Sequence, residues 1–294
     1  MKVEECIRSV ASRLAGSDSF YGHGTETPED EAAWLVMHAT GPSGQHDEVN
    51  ATSLEVLESL LDRRIRLKVP TAYLLGHSWF CGLKIMLNQD VLIPRSPIAE
   101  LIEQGFTPWL NPQAPLRVLD LCTGSGCIAV AMAHSWPAWR VDAIDISASA
   151  VNLAKRNCIE HDLSARLQVF QGDLFAPCGN ALYDLVVANP PYVSTSEYAI
   201  LPSEYKAEPA LALLAGDDGL DIVYRILNQA VNHLTEKGLL ICEVGHSQAT
   251  LVAQMPAAPF MWFEFEHGGE GVFMLDREQL VDLADEVKQI MSER

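Results

Sequence analysis

Val118-Leu119-Asp120-Leu121-Cys122-Thr123-Gly124-Ser125-Gly126 is the stretch from which the rest of the chain can be read. A short apolar run ends in a polar turn with two glycines, and Cys127 to His134 continues as a helix of small residues. Glycines at a strand-to-helix turn tolerate the sharp bend and let the backbone come close to a ligand. Downstream the alternation repeats. Val141 to Ile146 reads as a strand and Ser147 to His161 as a helix, followed by strands at Leu167–Phe170, Leu185–Ala188 and Leu239–Val244. A long helix is predicted over Asp221 to Leu234, and Phe260 to Leu275 reads as a closing hairpin around His267-Gly268-Gly269-Glu270-Gly271. Such βαβ alternation implies a mostly parallel sheet covered on both faces, an α/β fold.

Upstream the pattern changes. Residues 1 to 75 read as helices separated by polar loops, with Leu54, Val56, Leu57, Leu60, Leu61 and Ile65 recurring at helical spacing. Asp18 to Asp30 is loop-like. Trp79-Phe80-Cys81 and Leu83-Lys84-Ile85-Met86-Leu87 resemble two short strands with Gly82 at a bend, and Pro94 and Pro97 punctuate the passage into the α/β region.

With 294 residues, 48% apolar and 20% charged, the chain has room for a catalytic domain and a smaller one. No stretch approaches the roughly 18 to 20 apolar residues that cross a bilayer. Met1-Lys2-Val3-Glu4-Glu5-Cys6 has acids where a secretory signal has a basic flank, so a cytoplasmic protein without membrane contact is expected. Cys6, Cys81, Cys122, Cys127, Cys158, Cys178 and Cys242 are odd in number, scattered and without a Cys-x-x-Cys pair. Structural zinc and a disulfide framework are therefore not expected, and mostly buried, reduced thiols are. The net charge of −19 repels phosphate backbones at long range and suits a basic protein partner, or solubility alone. Direct nucleic-acid binding is not expected.

Asp145 ends the second strand, 25 positions after Asp120, with Ile146 beside it. A carboxylate at that strand tip can accept hydrogen bonds from both hydroxyls of a ribose. Gly172-Asp173-Leu174-Phe175 is a third acidic strand end, with Asp173 for an adenine edge and Leu174 or Phe175 against its face. A dinucleotide site would show Gly-x-Gly-x-x-Gly cradling a pyrophosphate. Here Cys122, Thr123, Gly124, Ser125 and Gly126 follow an acid. Asp120 would repel a pyrophosphate but can hold the ammonium of a methionine moiety directly or through water. The expected cofactor is S-adenosylmethionine, giving S-adenosylhomocysteine, with no metal; the plain alternative is a tight structural turn.

Asp184-Leu185-Val186-Val187-Ala188-Asn189-Pro190-Pro191-Tyr192-Val193 carries the chemistry. An apolar strand runs into two prolines, each fixing its own φ and restricting the residue before it. The plain alternative is an ordinary rigid strand end. A flat NH₂ group needs two acceptors, and the Asn189 side-chain oxygen and Pro190 carbonyl supply them. The Tyr192 ring can stack on the flat group. Asn189 is thus expected to serve substrate and cofactor alike, and Pro190, Pro191 and Tyr192 the substrate. An amide nitrogen is a poor nucleophile because its lone pair is delocalised. Acceptors on its hydrogens return electron density to it, and alignment with a sulfonium methyl can supply about 7 to 11 kcal/mol in favourable cases.

With these residues in view, the chain resembles the HemK family of class I, Rossmann-like methyltransferases, which modify the side-chain amide of protein glutamines. The resemblance runs over nearly the whole length and rests on Asn189-Pro190-Pro191-Tyr192 with Asp120-x-x-x-Gly124-x-Gly126. Glu208-Pro209, Gly216-x-x-Gly219-Leu220 and Glu243-Val244-Gly245 narrow it further. It implies a seven-stranded catalytic domain over 96–294, a β-hairpin linker over 77–95 and a helical substrate-recognition domain over 1–76. The release-factor branch usually has Pro-Asp-Thr-Glu after the linker and glycine at the position of Cys122. This chain has Pro94-Arg95-Ser96-Pro97-Ile98-Ala99-Glu100 and a cysteine there, besides Tyr21-Gly22-His23-Gly24-Thr25 and Gly268-Gly269-Glu270-Gly271-Val272-Phe273-Met274. All four resemble the branch that methylates the third protein of the large ribosomal subunit, so the resemblance implies a basic ribosomal protein as substrate. Arg95 and Glu100 sit where they can face it, or serve as a solvated linker residue and a helix cap. The competing readings are release-factor methylation, an adenine-N6 nucleic-acid methyltransferase, and a cofactor-binding adapter without turnover.

Overall fold

A computed structural model describes residues 1–41 and 48–294. Helices α1 (Val3–Ala15), α2 (Pro28–Thr40), α3 (Ala51–Arg66) and the short α4 (Thr71–Leu75) pack around Leu14, Leu35, Val36 and Leu61, all fully buried. The Thr27 hydroxyl accepts the Asp30 N–H at the start of α2, and the Asn50 side chain accepts the Ser53 N–H at the start of α3. Val56, grouped by spacing with the core leucines, faces solvent instead.

A buried charge cluster joins this bundle to the rest of the chain. Arg64, 1% exposed, donates from Nε to Glu31, from Nη1 to Glu204 at 3.0 Å and from Nη2 to the Phe20 carbonyl at 2.6 Å. Glu204 also accepts the Phe20 N–H at 2.9 Å. The loop between α1 and α2 is therefore clamped from both sides.

Strands β1 (His77–Phe80) and β2 (Leu83–Met86) form the expected hairpin, with Phe80 opposite Leu83. Its turn places Cys81 and Gly82 at φ +47° and +71°, the positive-φ pair of a two-residue turn that follows the strand twist. Asn157, fully buried, accepts the Met86 N–H and donates to the Met86 and Ser125 carbonyls, docking the hairpin on the first glycine turn.

After α5 (Ile98–Glu103) the α/β part runs β3 (Arg117–Leu121), α6 (Cys127–Ser135), β4 (Arg140–Asp145), α7 (Ala148–Glu160), β5 (Leu167–Gln171), β6 (Tyr183–Ala188), α8 (Thr195–Ile200), α9 (Ser203–Lys206), α10 (Asp221–Ala230), β7 (Leu234–Glu243), α11 (Gln248–Gln254), β8 (Met261–Trp262), β9 (Val272–Asp276) and α12 (Arg277–Glu293). The sheet order is β5-β4-β3-β6-β7-β9-β8; the first five strands are parallel, and β9 and β8 are added antiparallel. Alternate residues of the central strands enter opposite cores: Leu119, Leu121, Val186 and Leu240 on one face, Val118, Leu185, Val187 and Ile241 on the other. Chain order reverses direction between β3 and β6, and a crevice opens at such a switch point.

Several boundaries move. The loop expected over Asp18 to Asp30 ends at Thr27, whose side chain caps α2 from Pro28 onward. The helix predicted to Leu234 ends at Ala230, because Asn232 and His233 close a turn onto the Gln229 and Ala230 carbonyls and Leu234 already belongs to β7. In the closing hairpin β8 has only two residues, since Pro256 and Pro259 cannot lengthen it upstream. Three of the seven cysteines are buried and four half-buried, fewer in the core than expected; all are free. No helix among the described residues is long and apolar enough to cross a membrane.

Candidate active site

The carboxyl ends of β3, β4 and β6 share one solvent-open cleft. One wall is the segment from Asp90 to Ser96 and the other is the segment from Pro209 to Leu214. Of the residues expected at a site, Arg95, Cys122, Thr123, Gly124, Ser125, Asp145, Ile146, Asp173, Leu174, Asn189 and Pro191 reach it. Asp120, Gly126, Pro190 and Tyr192 do not line it.

The floor is built by backbone. Asp145 Oδ2 accepts the Gly124 N–H at 2.8 Å and Oδ1 the Ser147 N–H at 2.9 Å, so each oxygen keeps a lone pair. Burial raises this carboxyl above the usual range, against the pull of those two donors. Cys122 turns the corner at φ +58°, a conformation that favours glycine, and its thiol is raised by burial. Asp120 stands behind the turn, accepting the Thr123 hydroxyl and the Ala129 N–H, while its Oδ1 has no partner among the described residues. Burial pushes Asp120 up to about 7. Asp120, expected to hold an ammonium directly or through water, braces the turn, and its buried Oδ1 is the oxygen left without a partner among the described residues.

On the far side Asp173 is paired with Arg225 at 2.6 Å, both half-exposed at the cleft. Leu174 lines it, whereas Phe175 is 2% exposed and stacks on His233 with ring centroids 4.8 Å apart. Of the two hydrophobic candidates for an aromatic face, Leu174 is the one present.

The second turn is held from beneath. Among the described residues neither the Asn189 side-chain oxygen nor the Pro190 carbonyl accepts a hydrogen bond. Tyr192, by contrast, is bound at three points. Its hydroxyl donates to Glu243 at 2.9 Å, its carbonyl accepts the Ser247 hydroxyl at 2.8 Å, and its ring lies over Gly245, where a Cβ would come within 2.6 Å of it. At Gly219, φ +79°, a Cβ would fall 2.2 Å from the Tyr192 carbonyl. We therefore expect Gly219→Ala to lower stability by about 1–3 kcal/mol through strain, read as a lower melting temperature. Unchanged melting would show that the turn can move away. Tyr192, expected to stack on a substrate, does not line the cleft but stands beside it, half-buried and held by its hydroxyl and carbonyl.

Arg95 lines the cleft, but its guanidinium is committed. It donates bidentately to Glu208 at 2.7 and 3.1 Å, bonds the Ile93 carbonyl at 3.2 Å and lies 5.3 Å from the Tyr205 ring centroid. His23 Nε2 stands 3.2 Å from the same Glu208 oxygen, off the line of a hydrogen bond, with its ring 4.2 Å from Tyr205. The solvated-linker reading of Arg95 is thereby overturned. Glu100 faces neither solvent alone nor the cleft: it accepts the Glu266 and His267 N–H groups at 3.0 Å each, which lowers its carboxyl. Ser247 and Arg225 were missed from sequence, since a single serine or a helical arginine has no local signature.

A sheet of this order, a cleft at the ends of β3, β4 and β6, and an Asn-Pro-Pro-Tyr turn beside it define a class I methyltransferase. A family model described as the methyltransferase small domain matches residues 106–203. The ribosomal protein uL3 glutamine methyltransferase of Xylella fastidiosa is 43% identical over 298 residues, covering 99% of this chain and 95% of the relative. The protein of that name from Xanthomonas campestris pv. campestris is 44% identical over 302 residues, covering 99% and 96%. Among solved structures the hMettl16 catalytic domain in complex with MAT2A 3'UTR hairpin 6 is 20% identical, with a TM-score of 0.51 over 80% of this chain and 85% of that one, a likeness of fold. The chain belongs to the family of the ribosomal protein uL3 glutamine methyltransferases.

Proposed function

We propose that this protein transfers a methyl group from S-adenosylmethionine to the side-chain amide nitrogen of a glutamine in ribosomal protein uL3. The observation that carries the reading is the Asn189 carboxamide at the edge of the cleft, without a hydrogen-bond partner among the described residues. The charges of the cleft fit a cationic cofactor. Its lining carboxylates are Asp90, Asp145 and Asp173, and both lining cations, Arg95 and Arg225, are already paired. A pyrophosphate would find no free cation in this lining, whereas an ammonium and a sulfonium find carboxylate acceptors, with Asp120 adding negative charge from behind the turn.

Asp145 would hold the ribose hydroxyls, Leu174 and Ile146 the apolar faces of the base, and Cys122 to Ser125 the methionine portion. When bound, S-adenosylmethionine supplies an electrophilic methyl group. Asn189 and the Pro190 carbonyl offer two acceptors from one stiff turn, and these would orient the glutamine NH₂ and enrich its nitrogen. On taking the methyl group the amide nitrogen becomes positively charged while still carrying two protons; in that form it is strongly acidic and loses one to water without a strong base. Residues 1–76 would recognise the substrate, 77–95 link, and 96–294 catalyse, in the cytoplasm where ribosomal proteins are made.

Incubation with labelled cofactor and free uL3 tests the reading. Label on a glutamine of uL3 supports it; label on release factors alone moves the enzyme to the sister branch, and salt-sensitive labelling of adenine in RNA or DNA revives the nucleic-acid reading.

Asp120 gives a pH test. Its carboxyl is raised to about 7 in the free protein, so near neutrality it is partly protonated. A cationic group nearby favours the charged form, so cofactor binding releases a proton, and affinity rises with pH up to about 7 and levels off above it. Asp120→Asn should flatten that rise in calorimetric titrations. An unchanged slope in the variant would assign the dependence elsewhere.

A further inference from the structure

We propose that Glu243 is the positioning residue of the reacting turn, tying Tyr192 to Ser96 so that the turn and the linker wall are held as one unit. The inference rests on the reading above, in which the Asn189 turn holds an amide.

Glu243 is the last residue of β7 and 4% exposed. Its Oε1 accepts the Tyr192 hydroxyl at 2.9 Å and its Oε2 the Ser96 hydroxyl at 2.6 Å. No cation bonds it, since the Arg95 guanidinium is taken up by Glu208. A buried carboxylate satisfied only by two hydroxyl groups is costly, and well-packed apolar residues are often no worse for stability. The cost is understandable if the position serves something other than the fold.

What it serves is visible in the geometry. Ser96 lines the cleft and caps the start of α5 by accepting the Ile98 N–H at 3.2 Å. Tyr192 lies two residues beyond Pro190, and the prolines allow little freedom between Tyr192 and Asn189. Fixing the Tyr192 hydroxyl therefore fixes the direction in which Asn189 presents its carboxamide. The carboxylate joins residues 96, 192 and 243, the linker, the end of β6 and the end of β7, at one point. Glu243 touches no substrate; it acts through Tyr192.

The test combines kinetics with a probe that does not depend on turnover. Glu243→Gln keeps an oxygen for the Tyr192 hydroxyl and an amide for the Ser96 oxygen, so kcat should stay within about threefold of the parent. Glu243→Ala should lower kcat by roughly 10- to 100-fold, as expected of a misplaced reacting group, with cofactor affinity within about threefold. Tyr192→Phe removes the same bond from the other end and should match it, and the double variant should be no worse than either single one. 3-Fluorotyrosine at position 192 should give one narrow ¹⁹F resonance in the parent and in Glu243→Gln, and a broadened or split one in Glu243→Ala. If Glu243→Ala does not fold, Glu243→Gln and Tyr192→Phe still decide the matter. A narrow unchanged resonance in Glu243→Ala, additive kinetic losses, or a glutamine variant as impaired as the alanine one overturns the proposal. Should the parent label no glutamine, the functional reading fails, while the ¹⁹F spectra still decide whether Glu243 holds Tyr192.

Discussion

Asn189→Ala is expected to lower turnover by about 10²- to 10³-fold, the scale seen when one preorganised polar group at a reacting centre is removed. Cofactor affinity should stay within several-fold, because the floor of the cleft is set elsewhere. Asp145 is oriented by the Gly124 and Ser147 N–H groups, and neither depends on Asn189. The fold should be undisturbed as well, since the Asn189 side chain bonds nothing among the described residues and its backbone is shaped by the prolines after it. The split matters: a structural residue would lose both quantities together. Single-turnover assays at saturating cofactor, beside calorimetric titration, read the two separately. Turnover equal to the parent's would remove Asn189 from the mechanism.

Arg64→Met should be the most destabilising single change. Glu31 and Glu204, each 2% exposed, would remain buried with the guanidinium between them gone. Removing one partner of a buried ion pair costs about 3–5 kcal/mol because the other charge stays uncompensated. For a chain of this length that is on the order of 10 °C in Tm. Adding Glu31→Gln and Glu204→Gln should recover part of the loss, because amides tolerate burial without a counter-charge. Thermal melts of the single and triple variants check this. A single variant that melts with the parent would show that water, not Arg64, satisfies those carboxylates.

The sheet could be read in advance wherever apolar runs and glycine turns alternate. The strand at Val118–Leu121, the acid ending the next strand at Asp145 and the proline turn after Ala188 all stand where their spacing placed them. Boundaries were less legible. Leu234 continues the apolar spacing of α10 yet pairs with Tyr183 in β7, a choice made by tertiary pairing rather than local pattern. The candidate site divided in the same way. Residues that build turns were visible because turns need special residue types, as at Cys122 to Gly126 and Pro190–Pro191. Residues that hold those turns from behind were not. Ser247 lies 55 positions from the Tyr192 carbonyl that it bonds, and Glu208 lies 113 positions from Arg95. Such pairings carry no periodicity. For the same reason neither the Glu208 partner of Arg95 nor the Glu243 partner of Tyr192 could be read from local pattern.

The clamp around Arg64 also bears on how the chain acquires its structure. Arg64 and Glu31 meet within the first helices, but Glu204 and Glu208 emerge only after β6 has been made. A nascent amino-terminal bundle therefore exists for a time with its arginine lacking the Glu204 carboxylate and its Phe20–Gly24 loop held from one side only. Folding of that bundle is completed by a segment that arrives late, so synthesis of the methyl-transfer sheet and final locking of the helices are coupled events. A fragment ending at the linker would carry the helices without the carboxylates that finish them.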